Sequence, residues 1–156
     1  MKNILKNNKI PIIILAIVCV LALFAVIYQT QLANRSEAEN ESNQLMEDYT
    51  KTKSFVEEEK QTIVDLKNQS MDVTEQKQIL MDAKERIQTF ETPETFSALH
   101  NELFTKYKTG MIQAIETQLQ QTSIDYAVLV NDVEQAVASW YALEVYILED
   151  VYMYSD

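Results

Sequence analysis

Apolar and polar residues divide this chain into one uninterrupted apolar run and a series of amphipathic stretches. The run, IPIIILAIVCVLALFAVIY, extends from Ile10 to Tyr28 without a charged residue. As a helix it would measure about 28 Å, close to one hydrocarbon core. Pro11 falls in its first turn, where a proline is tolerated. Tyr28 stands at its far end, where interfacial aromatics collect. After it the apolar positions recur at helical steps of three and four. Leu45, Tyr49, Val56, Ile63 and Leu66 form one stripe, with polar Thr52 and Glu59 at intervening seam positions. Val73, Ile79, Leu80, Ala83, Ile87 and Phe90 form a second, and Phe96, Leu99, Leu103, Tyr107, Met111, Ile115 and Leu119 a third. The last and most apolar comprises Tyr126, Leu129, Val133, Val137, Trp140, Val145, Leu148 and Tyr152, widened by Val130, Ala136, Tyr141 and Ile147.

Breaks between the stripes set the expected boundaries. Ser36-Glu37-Ala38-Glu39 and Asp72-Val73-Thr74-Glu75 both fit a capping box, and Thr92-Pro93-Glu94 fits a helix start. Thr122 or Ser123 can cap the last helix, with Asp125 in its first turn. The pattern predicts helices over about 36–68, 72–91, 93–121 and 124–154. Two alternatives stay open: the apolar helix could run straight through Ser36, and one helix could extend from Ser36 to Phe90. Gly110, inside the third stripe, lowers local helix stability by about 1 kcal/mol relative to alanine and suggests a close helix crossing. The expected fold is all-α: one transmembrane helix, then an antiparallel bundle of three to four helices joined by short connections.

Composition narrows the class. One glycine and two prolines in 156 residues disfavour hairpins, Rossmann loops and phosphate loops, which depend on glycine. The lone Cys19 allows no intramolecular disulfide and no cysteine-based zinc site. Lys2, Lys6 and Lys9 flank the apolar run on one side, and Glu37, Glu39 and Glu41 follow Arg35 on the other. The positive-inside bias then makes 1–9 a cytoplasmic tail, 10–28 an uncleaved signal anchor in contact with membrane lipid, and 29–156 an extracytoplasmic domain. That domain carries ten basic and 24 acidic residues, with no Lys or Arg after Lys108. Such a balance speaks against a nucleic-acid partner and reads as a solvated acidic surface or a docking face for a basic partner.

Chemistry-bearing residues are few. His100 is the only histidine, at the edge of the third stripe. It reads as a partly buried structural residue and as the candidate pH-sensitive group. No carboxylate pair, diiron spacing or Ser-His-Asp arrangement stands out, so no catalytic residue, metal site or cofactor is expected, and the chain does not read as an enzyme. Six aromatics, Tyr126, Trp140, Tyr141, Tyr146, Tyr152 and Tyr154, crowd the last stretch. Tyr141 and Tyr146 lie off the main stripe and, with Tyr152 and Tyr154, are the candidate partner contacts.

Residues 93–107, PETFSALHNELFTKY, with Pro93, Phe96, Leu99 and His100 at Pro-x-x-aromatic-x-x-Leu-His spacing, resemble a segment of uncharacterised membrane-anchored or secreted helical-bundle proteins of Gram-positive bacteria. The resemblance implies a surface-located helical bundle and carries no activity. The expected function is an interaction or accessory subunit of a cell-envelope complex, with a protein partner. The alternative is a ligand-sensing bundle that signals through a separate membrane partner.

Overall fold

A computed structural model describes the backbone of residues 9–153 and the side chains of residues 19–152. Four helices, α1 (Lys9–Asp65), α2 (Val73–Thr89), α3 (Ala98–Leu119) and α4 (Tyr126–Met153), and a 3-10 turn (Leu66–Asn68) account for the regular structure, and no strand occurs among the described residues. The protein is all-α. Two units are distinguished, Met1–Asn40 and Glu41–Asp156. The expected cytoplasmic tail lies outside the described residues, apart from the backbone of Lys9. The expected span Ile10–Tyr28 lies in part outside them, its side chains being described only from Cys19 onward. Among the described residues no helix is long and apolar enough to cross a membrane.

Ser36 does not start a helix. It lies inside α1, whose backbone is helical on both sides of it, so the N–H groups its side chain would cap already have helical carbonyl partners. Arg35 instead pairs with Glu39 across one turn at 3.1 Å. The break near 68–72 is present. The 3-10 turn closes α1, and Asp72 Oδ1 accepts from the N–H of Thr74 and Glu75 at 2.8 and 2.9 Å. Glu75 Oε2 accepts from the Asp72 N–H, which completes the capping box.

The start of α3 is five residues later than Pro93. Residues 93–96 form a turn closed by the Phe96 N–H on the Pro93 carbonyl at 3.1 Å, and Ser97 is the N-cap. A turn already engaged in this way, with Thr95 Oγ1 donating to Asp48 at 2.8 Å, is not free to continue as helix. For α4 the cap is Asp125 rather than Thr122 or Ser123. Its Oδ1 accepts from the N–H of Ala127 and Val128, and its own N–H donates to Gln118 Oε1 at 2.8 Å.

Helices commonly end on a glycine in the left-handed region. Among the described residues none has positive φ. Lysines from neighbouring helices take the terminal carbonyls instead. Lys108 of α3 donates to Gln88 and Phe90 at the end of α2, and Lys77 of α2 donates to Leu119 at the end of α3. Each cation sits where the helix dipole is negative.

Within residues 41–156 successive helices are antiparallel. Phe55 stacks on Phe90 while Glu59 meets Arg86, Lys84 pairs with Glu116 while Lys108 reaches Phe90, and Gly110 faces Ala136 while His100 faces Asp150. The core positions of α1 alternate by three and four. In α1 the buried positions are Ser42, Leu45, Tyr49, Thr52, Val56, Glu59 and Ile63, and the 3-10 turn adds Leu66. The two polar seam residues are thus core residues. Thr52 satisfies its hydroxyl on the Asp48 carbonyl at 2.8 Å, and Glu59 is held by Arg86. The same spacing gives Gln76, Leu80, Ala83 and Ile87 in α2, and Leu129, Val133, Ala136, Trp140, Leu143 and Ile147 in α4, where Val137 is buried beside the seam as well. A period of 3.5 is the pattern of knobs-into-holes packing.

Candidate interaction surface

On α4 the seam through Leu143 and Ile147 sets what is left outside. Val145, expected in the core, is 55% exposed, and Tyr152, placed on the same stripe and also among the candidate partner contacts, is 71% exposed. Leu143 and Ile147 continue the three-four spacing from Trp140, and the register that buries them turns Val145 outward. Tyr141 and Tyr146 are exposed at 51% and 43%. Tyr154 lies outside the described residues. Tyr141, Val145, Leu148 and Tyr152 recur at steps of four, three and four, so α4 carries a second stripe beside its core seam. Val145 is the member that sequence reasoning missed. Its signal is that second spacing.

One edge of this surface is tied to α1. Lys60 lies over the Tyr141 ring at 5.8 Å from its centroid, with Nζ 3.4 Å from the hydroxyl. Glu144 accepts from Lys53 at 2.7 Å and from the Tyr49 hydroxyl, and Tyr49 stacks parallel to Trp140. Burial alone would raise the Glu144 carboxyl, but the bonds from Lys53 and Tyr49 outweigh it and hold the group below the usual range. Burial and the bond to Glu144 push the Tyr49 phenol up. This network pins α4 to α1 behind the exposed tyrosines.

His100 is buried, 1% exposed, rather than at an edge. Leu99 is exposed in its place. With Ser97 as cap, His100 occupies the third helical position, where glutamate or glutamine usually closes a capping box. Its Nδ1 accepts the Ser97 N–H at 3.2 Å, and Ser97 Oγ accepts the His100 N–H at 3.3 Å. The ring proton is therefore on Nε2, 3.3 Å from Asp150 Oδ2 at the end of α4. Burial lowers the imidazole pKa, and Asp150 opposes this without cancelling it. Protonating Nδ1 would set two N–H groups against each other and open the cap.

The folded-state pKa thus lies below the unfolded value near 6.5. The stability this provides is fully present above pH 6.5 and declines as the pH falls below it through the folded value. We expect the melting temperature to fall between pH 7 and about 5, above the range in which most carboxylates titrate. His100→Gln keeps a capping-box acceptor without a titrating ring and should flatten that slope. An equal slope in the variant would remove His100 as its source.

Among the described residues no group of three His, Cys, Asp or Glu is placed to hold a metal ion. The other buried charge is Glu59, which accepts from Arg86 Nε at 2.6 Å and Nη2 at 3.0 Å. Burial and this carboxylate push the Tyr107 phenol well up. These groups lie between helices, remote in sequence from the exposed tyrosines. Comparison with protein families, with curated proteins and with solved structures gives no match.

Proposed function

We propose that the chain is a single-pass membrane-anchored protein whose extracytoplasmic bundle serves as an interaction or accessory subunit of a cell-envelope complex. The observation that carries the docking part is the exposed stripe of Tyr141, Val145 and Tyr152, with Tyr146 beside it, on a helix whose opposite face fills the core. Tyrosine combines apolar area with a polar handle at low entropic cost, which suits a partner contact. Support for the anchor is the uncharged run Ile10–Tyr28, with lysines before it and acids after it, carried on α1. In its described part Val20, Leu21, Leu23, Phe24, Val26 and Ile27 are all exposed, an apolar helix surface without a stripe.

The test is crosslinking in intact cells that express the full chain, together with external protease. The expected result is removal of residues 29–156 by protease and a stoichiometric crosslinked partner. That partner should be lost in Tyr141→Ala/Tyr146→Ala while the variant keeps its helical circular dichroism. Protection from protease overturns the topology. An unchanged partner in the variant overturns the docking face.

A further inference from the structure

The outward face of α4 changes character along its length. Ahead of Trp140 it presents Ala127 and Val128 in its first turn and then Asn131, Glu134, Gln135 and Ala138, a stretch polar but for Ala138. Beyond Trp140 it presents Tyr141, Ala142, Val145, Tyr146 and Tyr152, interrupted by Glu149. From Tyr141 to Tyr152 the stripe covers about three turns, roughly 16 Å. Tyr141, Val145 and Tyr152 stand at i, i+4 and i+11 on one face, with Leu148 at i+7 half-buried against the core between them, a spacing that a facing helix reads.

Charge decides what kind of helix this would be. No Lys or Arg follows Lys108, so α4 contains acids only. Glu144 is occupied by Lys53, and Asp150 faces His100. Glu134 and Glu149 stand exposed along the stripe. Lys60 of α1 sits at its edge, over Tyr141. A second copy would bring the same acids to this face, and a chain with a net charge of −11 repels itself. An anionic lipid surface would be repelled in the same way.

We propose that this face takes an amphipathic α-helix of a basic protein. The partner's apolar side chains lie along Tyr141, Val145 and Tyr152 and against Tyr146 beside them, and its lysines or arginines lie against Glu134 and Glu149. The proposal rests on the docking reading above and adds the chemistry of the partner. The charges set selectivity and encounter rate, and the aromatics hold the complex.

The experiment uses the full chain in nanodiscs of zwitterionic lipid and two labelled synthetic helices with the same leucine stripe. One helix is flanked by lysines and the other by glutamates. Fluorescence anisotropy should show the lysine helix binding about tenfold more tightly, the combined effect of a few exposed ion pairs, with the gap closing as salt rises. Glu134→Lys/Glu149→Lys should reverse the preference, and Tyr146→Ala should weaken both helices. Circular dichroism and thermal melting verify that the variants fold.

Equal binding of both helices, weakened by Tyr146→Ala, overturns the basic partner and leaves the docking face standing. Binding of the lysine helix that ignores Tyr146→Ala is diffuse charge attraction and also overturns it. Binding of neither helix overturns it too, while the cellular crosslink judges the docking face separately. Self-association of the full chain that the lysine helix displaces would make a second copy the occupant, and the proposal fails.

Discussion

Replacing Arg86 by methionine is expected to cost about 3 kcal/mol of stability, the range found when one member of a buried ion pair is removed. The carboxylate of Glu59 is 1% exposed and accepts both of its charged bonds from this guanidinium. Arg86 itself reaches solvent, with about half of its side chain exposed, so the charge that loses its compensation is the one that water cannot reach. Glu59→Met with Arg86→Met should recover most of the loss, because two apolar side chains of similar volume bury without a desolvation penalty. Trp140, the only tryptophan and 1% exposed, reports unfolding by its fluorescence in urea. A loss under about 1 kcal/mol for the single variant, within the range of exposed pairs, would mean that water solvates Glu59 in the native state.

Glu59 also shows where the sequence was legible and where it was not. The three-four spacing of α1 is fully readable once polar residues are admitted to it. Thr52 and Glu59 look like interruptions only because a hydrophobic pattern counts side chains by type, and their partners, the Asp48 carbonyl and Arg86, belong to the folded state. His100 hides the register of α3 for the same reason. Leu99 and Leu103 make an apolar stripe as good as His100 and Phe104, and the choice is made by Ser97, which starts the helix and places His100 on the inner face. In α4 the ambiguity comes from excess. Leu143, Val145, Ile147 and Leu148 are all apolar, so periodicity cannot choose which two face the core. The same excess makes the outer stripe. Capping was more legible where both halves of the signal are local: Asp72 with Glu75 was readable, whereas Asp125 caps Ala127 and Val128 without a local partner for its own N–H, which goes to Gln118, seven residues upstream.

Gly110→Ala is expected to destabilise the bundle by about 1–3 kcal/mol, against the sign that helix propensity alone would give. In an isolated helix the change would stabilise by about 1 kcal/mol, and no unusual backbone angle at Gly110 opposes it, since no described residue has positive φ. The obstacle is space. A Cβ at this position would lie 2.8 Å from Ala136 Cβ and 3.3 Å from Ala136 Cα, on the facing helix. Neither atom belongs to a flexible side chain that could swing away, so α3 and α4 must separate. Separation would loosen Met111, Val133 and Val137, all buried beside the contact. Ala136→Gly in the same chain removes the nearer obstacle and should restore most of the loss, leaving the cost of one glycine in α4. The two single changes and the double change form a cycle whose coupling should exceed about 1 kcal/mol, as for residues in direct contact. A more stable Gly110→Ala protein would mean that the two helices do not approach each other at this point, and additive effects would place Gly110 and Ala136 apart.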